Sequence, residues 1–136
     1  MPEIGRGSQE TLKILFKQGI RYSTCIDVGC ADGHFYLIGH SQGYFQSAAP
    51  FHVDPNPIYE SSLKAIKDII GGNYALCAAS DFDGEIEITF SENPYWSSAR
   101  QNGDIYWQRI GTSAGKQTNV PAFTLDTLAK NNRLRP

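Results

Sequence analysis

The pattern of apolar and polar positions predicts alternating helices and strands in the first part of the chain. Apolar residues at helical spacing indicate three helices, and short apolar runs bounded by turn residues indicate three strands. In chain order these are a helix over residues 8–17, a strand over Thr24–Val28, a helix over residues 34–42, a strand over residues 51–54, a helix over residues 57–70 and a strand over residues 73–79. This βαβαβ order predicts parallel strands joined by right-handed crossovers.

The pattern changes after the third strand. Asp83-Gly84 predicts a hairpin turn, and residues 85–90 alternate strictly between polar and apolar, as a half-exposed strand does. Residues 91–119 have the composition of a long loop, and residues 120–123 can pair with the alternating strand. Thr124 or Asp126 can cap a last helix over residues 127–131. The second half therefore predicts an antiparallel pair of strands followed by a short helix.

Length and composition predict one domain over residues 1–136. A hydrophobic fraction of 40% is that of a globular chain, and a net charge of −2 gives no electrostatic reason to expect nucleic acid or an anionic membrane as partner. No apolar run is long enough to span a membrane. The cysteines, at Cys25, Cys30 and Cys77, and the histidines, at His34, His40 and His52, have no metal or redox spacing. We therefore expect a cytoplasmic protein without a metal site.

The most informative motif joins the first two strands. Strand Thr24–Val28 runs into Asp27-x-Gly29-x-x-x-Gly33, and Asp54 ends the second strand. An acidic residue about 20 positions beyond a strand, glycine loop and helix is the arrangement that binds a ribose diol. A dinucleotide fold would have glycine where Ala31 and His34 stand. The spacing instead resembles motif I of class I S-adenosylmethionine-dependent methyltransferases, with an ordinary turn and an unrelated carboxylate as the alternative.

The whole chain resembles the FkbM family of methyltransferases. The segments that carry the resemblance are residues 25–33, 53–57, 78–88, Ser97–Ser98 and 120–128, the last containing Val120-Pro-Ala-Phe-Thr-Leu-Asp126. The resemblance implies an α/β, three-layer Rossmann-like fold of which this chain is the N-terminal half, with parallel strands in the order 3-2-1 and an antiparallel β-hairpin insertion. It also implies an enzyme that uses S-adenosyl-L-methionine to methylate a hydroxyl of a sugar or natural product, a small-molecule acceptor.

The resemblance also implies a set of cofactor-binding residues, and no catalytic residue can be named from it. Asp27, Gly29, Cys30, Ala31 and Gly33 would line the methionyl and adenosyl side, and Asp54 would hold the ribose, with Pro55 and Asn56 beside it. Ala79, Ser80 and Asp81, after the third strand, would border the adenine.

Family members continue into a fourth strand, which this sequence does not reach. A truncated gene, an excised fragment and a cofactor-binding remnant all stay open as explanations. Without the fourth strand, Thr24–Val28 becomes an unpaired edge, so we expect a homo-oligomer or a missing C-terminal half as partner. Two other functions stay open: a non-catalytic remnant that acts as a cofactor-binding or interaction module, and, more weakly, an NAD-type oxidoreductase.

Overall fold

A computed structural model describes residues 6–45, 47–92, 97–98 and 114–135 of the chain. Through residue 75 the helices and strands alternate as the sequence predicts, and strands then follow one another up to the last helix. The elements, in chain order, are α1 (Arg6–Lys17), β1 (Thr24–Val28), α2 (His34–Ser41), β2 (Ala49–Val53), a 3₁₀ turn (Pro57–Tyr59), α3 (Glu60–Ile69), β3 (Asn73–Ala75), β4 (Ala78–Ala79), β5 (Gly84–Ser91), β6 (Ser97–Ser98), β7 (Ala114–Phe123) and α4 (Leu125–Asn131).

Strands β1, β2 and β3 form a parallel sheet in that spatial order. Thr24 of β1 is in register with Ala49 of β2, and Val53 of β2 with Ala75 of β3. This confirms the expected parallel strands with order 3-2-1. The molecule is an α/β protein whose first sheet is compatible with a Rossmann-like fold.

Helices cover both faces of the parallel sheet. Because side chains alternate along a strand, Phe51 and Val53 of β2 point to one face and His52 to the other. Phe51 and Val53 pack with Leu128 of α4. On the opposite face, residues of α2 and α3 form a second cluster that includes Tyr36, Leu63 and Ile66. The sheet therefore lies between two layers of helix.

Gly39 lies within α2 although glycine disfavours helix interiors. A Cβ at this position would lie 2.4 Å from the Phe45 ring, whose side chain is buried against the helix. Close packing of that ring requires glycine here and offsets its low helix propensity.

The second sheet has the order β4-β7-β5-β6. Antiparallel pairing of β5 with β7, with Ile86 opposite Val120, confirms that the alternating strand and residues 120–123 pair. The predicted loop over residues 91–119 is wrong at its end, because β7 already begins at Ala114. Its central part, residues 93–96 and 99–113, lies outside the described residues.

The predicted third strand over residues 73–79 is divided in the structure. β3 ends at Ala75 in the parallel sheet, and β4 begins at Ala78 and pairs with β7 in the second sheet. Leu76 and Cys77 connect them, and the Cys77 side chain is buried between Phe51, Val53 and Leu128. The chain changes sheets at this point, which a continuous apolar run does not reveal.

The hairpin turn predicted at Asp83-Gly84 is wrong. β4 and β5, on either side of it, do not pair with each other, because β7 lies between them. The Asp83 carboxylate instead accepts hydrogen bonds from the Thr124 amide, at 2.8 Å, and the Thr127 hydroxyl, at 2.7 Å. Asp83 therefore attaches this turn to the start of α4.

No helix in the described part of the chain has the length and apolar character needed to cross a membrane.

Candidate functional site

The glycine loop, residues 29–33, leaves the carboxyl end of β1 and is held against β2. The amides of Gly29 and Cys30 both donate to the Val53 carbonyl, at 2.8 and 3.3 Å. Three loop residues have positive φ: Gly29 at 71°, Ala31 at 50° and Gly33 at 83°. Such a backbone strongly favours glycine, which explains two of the three positions.

Gly33 has a second reason to be glycine. A Cβ there would lie 2.5 Å from Ile66 Cδ1 of α3 and 3.4 Å from His52 Nε2 of β2. The loop therefore approaches the packed helix and sheet closely at the residue that precedes α2. A side chain at this position would push the loop away from the end of the sheet.

Asp54, directly after β2, is joined to the glycine loop. Its Oδ2 accepts the Ala31 amide at 3.0 Å, and its Oδ1 accepts the Asn56 amide at 2.9 Å. The Asp54 side chain is almost completely buried. A carboxylate has about four lone-pair sites, so each oxygen can accept one more hydrogen bond. The structure thus brings the predicted loop and the predicted ribose carboxylate together.

Asp27 lies on β1 beneath the same loop. Burial first, and the nearby Asp54 carboxylate second, raise the pKa of Asp27 to about 6. Its Oδ2 is shut off from solvent and has no hydrogen-bond partner within the described residues. Two acidic groups therefore stand close together at the carboxyl end of the parallel strands, which disfavours a negatively charged ligand.

The Cys30 side chain packs into the protein interior beneath the loop. Its side chain is buried in the cluster that contains Tyr36 and Leu63. Burial first, and then the charges of Asp27 and Asp54, raise the pKa of the Cys30 thiol. Only the backbone of Cys30 is therefore available to line a ligand.

The residues expected beside the ribose and adenine have different surroundings. Asn56, after Pro55, accepts the Ile58 amide at 3.1 Å and caps the 3₁₀ turn that begins at Pro57. Ala79 pairs with Phe123, and the Ser80 amide donates to the Phe123 carbonyl at 2.9 Å. The Ser80 hydroxyl also donates a hydrogen bond to the Asp81 carboxylate. Residues 79–81 therefore contact one another and β7.

His52 is the residue that sequence reasoning did not place in the site. It is 2% exposed, its ring meets Tyr36 edge to face, and burial lowers its pKa. Its Nε2 is buried without a hydrogen-bond partner among the described residues. The available signal was its position two residues before Asp54, in the strand that Asp54 was expected to end.

A groove of about 380 Å³ lies between α2 and α3 and borders the glycine loop at Asp32. Apolar side chains of Leu37, Ile66 and Ile69 line it, with Asp32 and His34 at its polar side. Neither Asp27 nor Asp54 lines it, so the groove is separate from the two carboxylates. The Asp32 Oδ1 accepts the amide of His34, the first residue of α2, at 3.1 Å.

Within the described ranges, no three side chains of His, Cys, Asp or Glu are grouped so that they could hold a metal ion. Comparison of the chain with models of known protein families, with curated proteins and with solved structures gives no match.

Proposed function

We propose that this chain binds S-adenosylmethionine at the glycine loop and Asp54 and is a methyltransferase domain, or the cofactor-binding half of one. The observation that carries the proposal is the pair of contacts made by Asp54. One oxygen fixes the loop through Ala31 and the other fixes the following turn through Asn56. Each oxygen keeps capacity to accept a ribose hydroxyl, and a hydrogen bond to a charged acceptor contributes roughly 1.5–3 kcal/mol.

The charges near the glycine loop and Asp54 favour S-adenosylmethionine over a dinucleotide. Residues 27–34 and 51–57 contain Asp27, Asp32 and Asp54 but no lysine or arginine. A diphosphate would meet carboxylates without a compensating cation in these segments, whereas a sulfonium or ammonium group would be attracted to them. The NAD-type alternative is disfavoured further, because Ala31 and His34 stand where its glycines belong.

The residues of the chain would bind and orient the cofactor. When bound, S-adenosylmethionine supplies a methyl group on a sulfonium, and transfer to a hydroxyl depends largely on alignment of the two reacting atoms. The loop backbone would approach the methionyl and adenosyl parts closely, and Asp54 would fix the ribose. Asp27 would contribute negative charge near a cationic part of the cofactor. We assign no general base.

The finer description is part of the same proposal. We infer a Rossmann-like class I methyltransferase fold of the FkbM type, acting on a hydroxyl of a sugar or natural product in the cytoplasm. The support is the parallel β1-β2-β3 order together with the glycine loop and Asp54 at the strand ends. The resemblance of residues 78–88 and 120–128 to segments of that family supports the narrower assignment. These residues form β4, most of β5, the end of β7 and the start of α4.

A second candidate is a non-catalytic module that keeps the cofactor-binding half for interaction. The observation that favours it is the open edge of β1, the end strand of the parallel sheet in the described residues. Mass spectrometry of ligand retained on the purified protein separates the possibilities. Retained adenosylmethionine or adenosylhomocysteine supports cofactor binding, retained NAD supports the oxidoreductase, and no retained nucleoside favours the non-catalytic module.

Calorimetry with adenosylmethionine and adenosylhomocysteine tests the proposal directly. Asp54→Ala should weaken binding by about 10- to 150-fold, the equivalent of one charged hydrogen bond. Asp68→Ala removes an exposed carboxylate on α3 and should leave the affinity unchanged. Equal affinity of the Asp54→Ala variant and the unmodified protein would overturn the ribose assignment. Circular dichroism of both variants establishes that a loss of binding is not a loss of fold.

A further inference from the structure

Two buried polar atoms beneath the glycine loop have no hydrogen-bond partner among the described residues: Asp27 Oδ2 and His52 Nε2. Asp27 and His52 are register partners on β1 and β2, so their side chains leave the sheet on the same face. Buried polar atoms in native proteins nearly always have a partner. Two unpaired atoms on adjacent strands therefore indicate a site whose hydrogen bonding is incomplete until a ligand or a proton is supplied.

The ionisable groups around Asp27 and His52 are a carboxylate, thiols, phenols and the imidazole of His40. Asp54 lies at the end of β2, beside the same loop. The remaining ionisable side chains in or against this layer are Cys25 of β1, Cys30 of the loop, Tyr36 and His40 of α2, Tyr59 of the 3₁₀ turn, Tyr74 of β3 and Tyr22, which precedes β1. The α3 helix contributes the apolar Ile66 side chain. None of these groups is a lysine or an arginine, so among the described residues this layer has no permanent positive charge that would offset an ionised Asp27.

We propose that the binding of a positively charged ligand over the glycine loop is coupled to the release of one proton from Asp27. In mildly acidic solution, without ligand, Asp27 is a neutral carboxylic acid. Protonation is favoured because an ionised Asp27 would place a second negative charge beside the Asp54 carboxylate. When a sulfonium or ammonium group binds over the glycine loop, the O–H bond of Asp27 breaks and the proton passes to the solvent. The carboxylate that remains forms an ion pair with the ligand.

His52 keeps the released proton from staying in the site. It is almost fully buried, and burial lowers the pKa of its imidazole, so protonation of His52 would only move the charge to another buried group. The pKa of about 6 for Asp27 agrees with the proposed coupling and sets its pH range. The inference rests on the proposed function, because adenosylmethionine supplies the positive charge.

Calorimetry in buffers of different ionisation enthalpy measures the protons released on binding. With adenosylmethionine near pH 5.5, roughly three quarters of a proton should leave per ligand bound, and near pH 7.5 almost none. Asp27→Asn should abolish the release at both pH values, and Asp68→Asn, on exposed α3, should preserve it. Adenosine, which has the ribose and adenine but no positive charge, should bind without releasing a proton.

A measurement without ligand tests the same group independently. The ¹³C shift of the Asp27 carboxyl should titrate with a midpoint near pH 6, and Asp54→Asn should move that midpoint down because it removes the neighbouring charge. A midpoint near pH 4, or binding near pH 5.5 without proton release, would overturn the coupling. If adenosylmethionine does not bind at all, the proposed function is overturned and the coupling falls with it, whatever the titration shows.

Discussion

Ala31 is the one residue of the glycine loop, residues 29–33, that has a positive φ and is not glycine. Its φ of 50° lies in the left-handed region, which costs a non-glycine residue roughly 1–2 kcal/mol. Its amide nevertheless bonds to Asp54, so the surrounding contacts maintain the conformation. Strain of this kind at a candidate ligand site is consistent with a loop shaped for binding rather than for stability.

Ala31→Gly should therefore raise the free energy of unfolding by about 1 kcal/mol, because glycine adopts this φ without strain. The matched control is Ala65→Gly on the exposed side of α3, which should lower it by about 1 kcal/mol because glycine disfavours a helix interior. Urea unfolding monitored by circular dichroism measures both. A decrease of similar size in both variants would show that Ala31 is not strained.

Asp27 should make the stability of the ligand-free protein depend on pH. Its pKa of about 6 in the folded protein lies above the ordinary value of 3.8, so between these values the folded state binds more protons than the unfolded state. The stability that protonated Asp27 contributes to the folded protein is therefore fully present below about pH 4 and is lost as the pH rises through 6. Asp27→Asn should raise Tm near pH 7.5 and change it little near pH 4. An equal shift at both pH values would contradict the assignment.

The candidate site could be predicted from sequence only as far as backbone and charge determine it. Gly29, Gly33 and Asp54 were identifiable because a sharp loop needs glycine and an isolated carboxylate after a strand is unusual. The role of the Asp54 side chain in holding Ala31, the inward direction of Cys30 and the burial of His52 depend on which face each residue turns toward the helices. Those directions follow from tertiary packing, which the local pattern does not contain.

At the scale of elements, the start of α4 joins the two sheets. Thr124 caps the helix, since its hydroxyl accepts the Thr127 amide at 3.1 Å, and Asp83 bonds to both threonines. The contacts of Asp83 with the Thr124 amide and the Thr127 hydroxyl lower the pKa of its carboxyl. A seven-residue helix has little stability of its own, so its position depends on this capping network and on Leu128.

Thr124→Ala should lower the free energy of unfolding by about 1 kcal/mol, because the amide at Thr127 loses its capping acceptor. Thr11→Ala is the control, since the exposed Thr11 hydroxyl bonds to a carbonyl within α1 and caps nothing. Its effect should stay within about 0.5 kcal/mol. Thermal and urea unfolding of the two variants give the comparison, and equal destabilisation would argue against a specific role for the cap.

The elements also show where sequence patterns stop being informative. The β1-β2-β3 sheet was predictable because β1 and β2 are each followed by a helical period, which returns the chain to a parallel neighbouring strand. The change of sheet after Ala75 was not, since residues 73–79 are uniformly suitable for a strand and the change depends on β7, which is distant in sequence. Likewise, Asp83-Gly84 has turn chemistry, but pairing of β5 with β7 decides that no hairpin forms there.

For the whole molecule, the parallel sheet is open along β1. Within the described residues β1 pairs only with β2, and it is the end strand of its sheet. On the α4 face, Ile26 and Val28 are 41% and 49% exposed, whereas their register partners Phe51 and Val53 are 1% exposed. Within the described residues, the helix layer thus covers β2 and leaves β1 partly exposed. β1 also lacks the lysine, proline or bulge that normally protects an edge strand.

The 136-residue chain should therefore self-associate through β1 or recruit another polypeptide strand there. Thr24 Oγ1 donates to the Arg135 carbonyl at 2.9 Å, so residue 135 contacts β1 at its first residue.

Ile26→Lys places a charge on the open face and should shift the protein toward a 15.1 kDa monomer in light scattering. Ile69→Lys changes an even more exposed isoleucine on α3 and should leave the association state unaltered, because no sheet edge is involved. Unfolding curves of both variants separate lost association from lost fold. A stable monomer of the unmodified chain with β1 accessible to solvent would refute the prediction, as would an equal response of the two lysine variants.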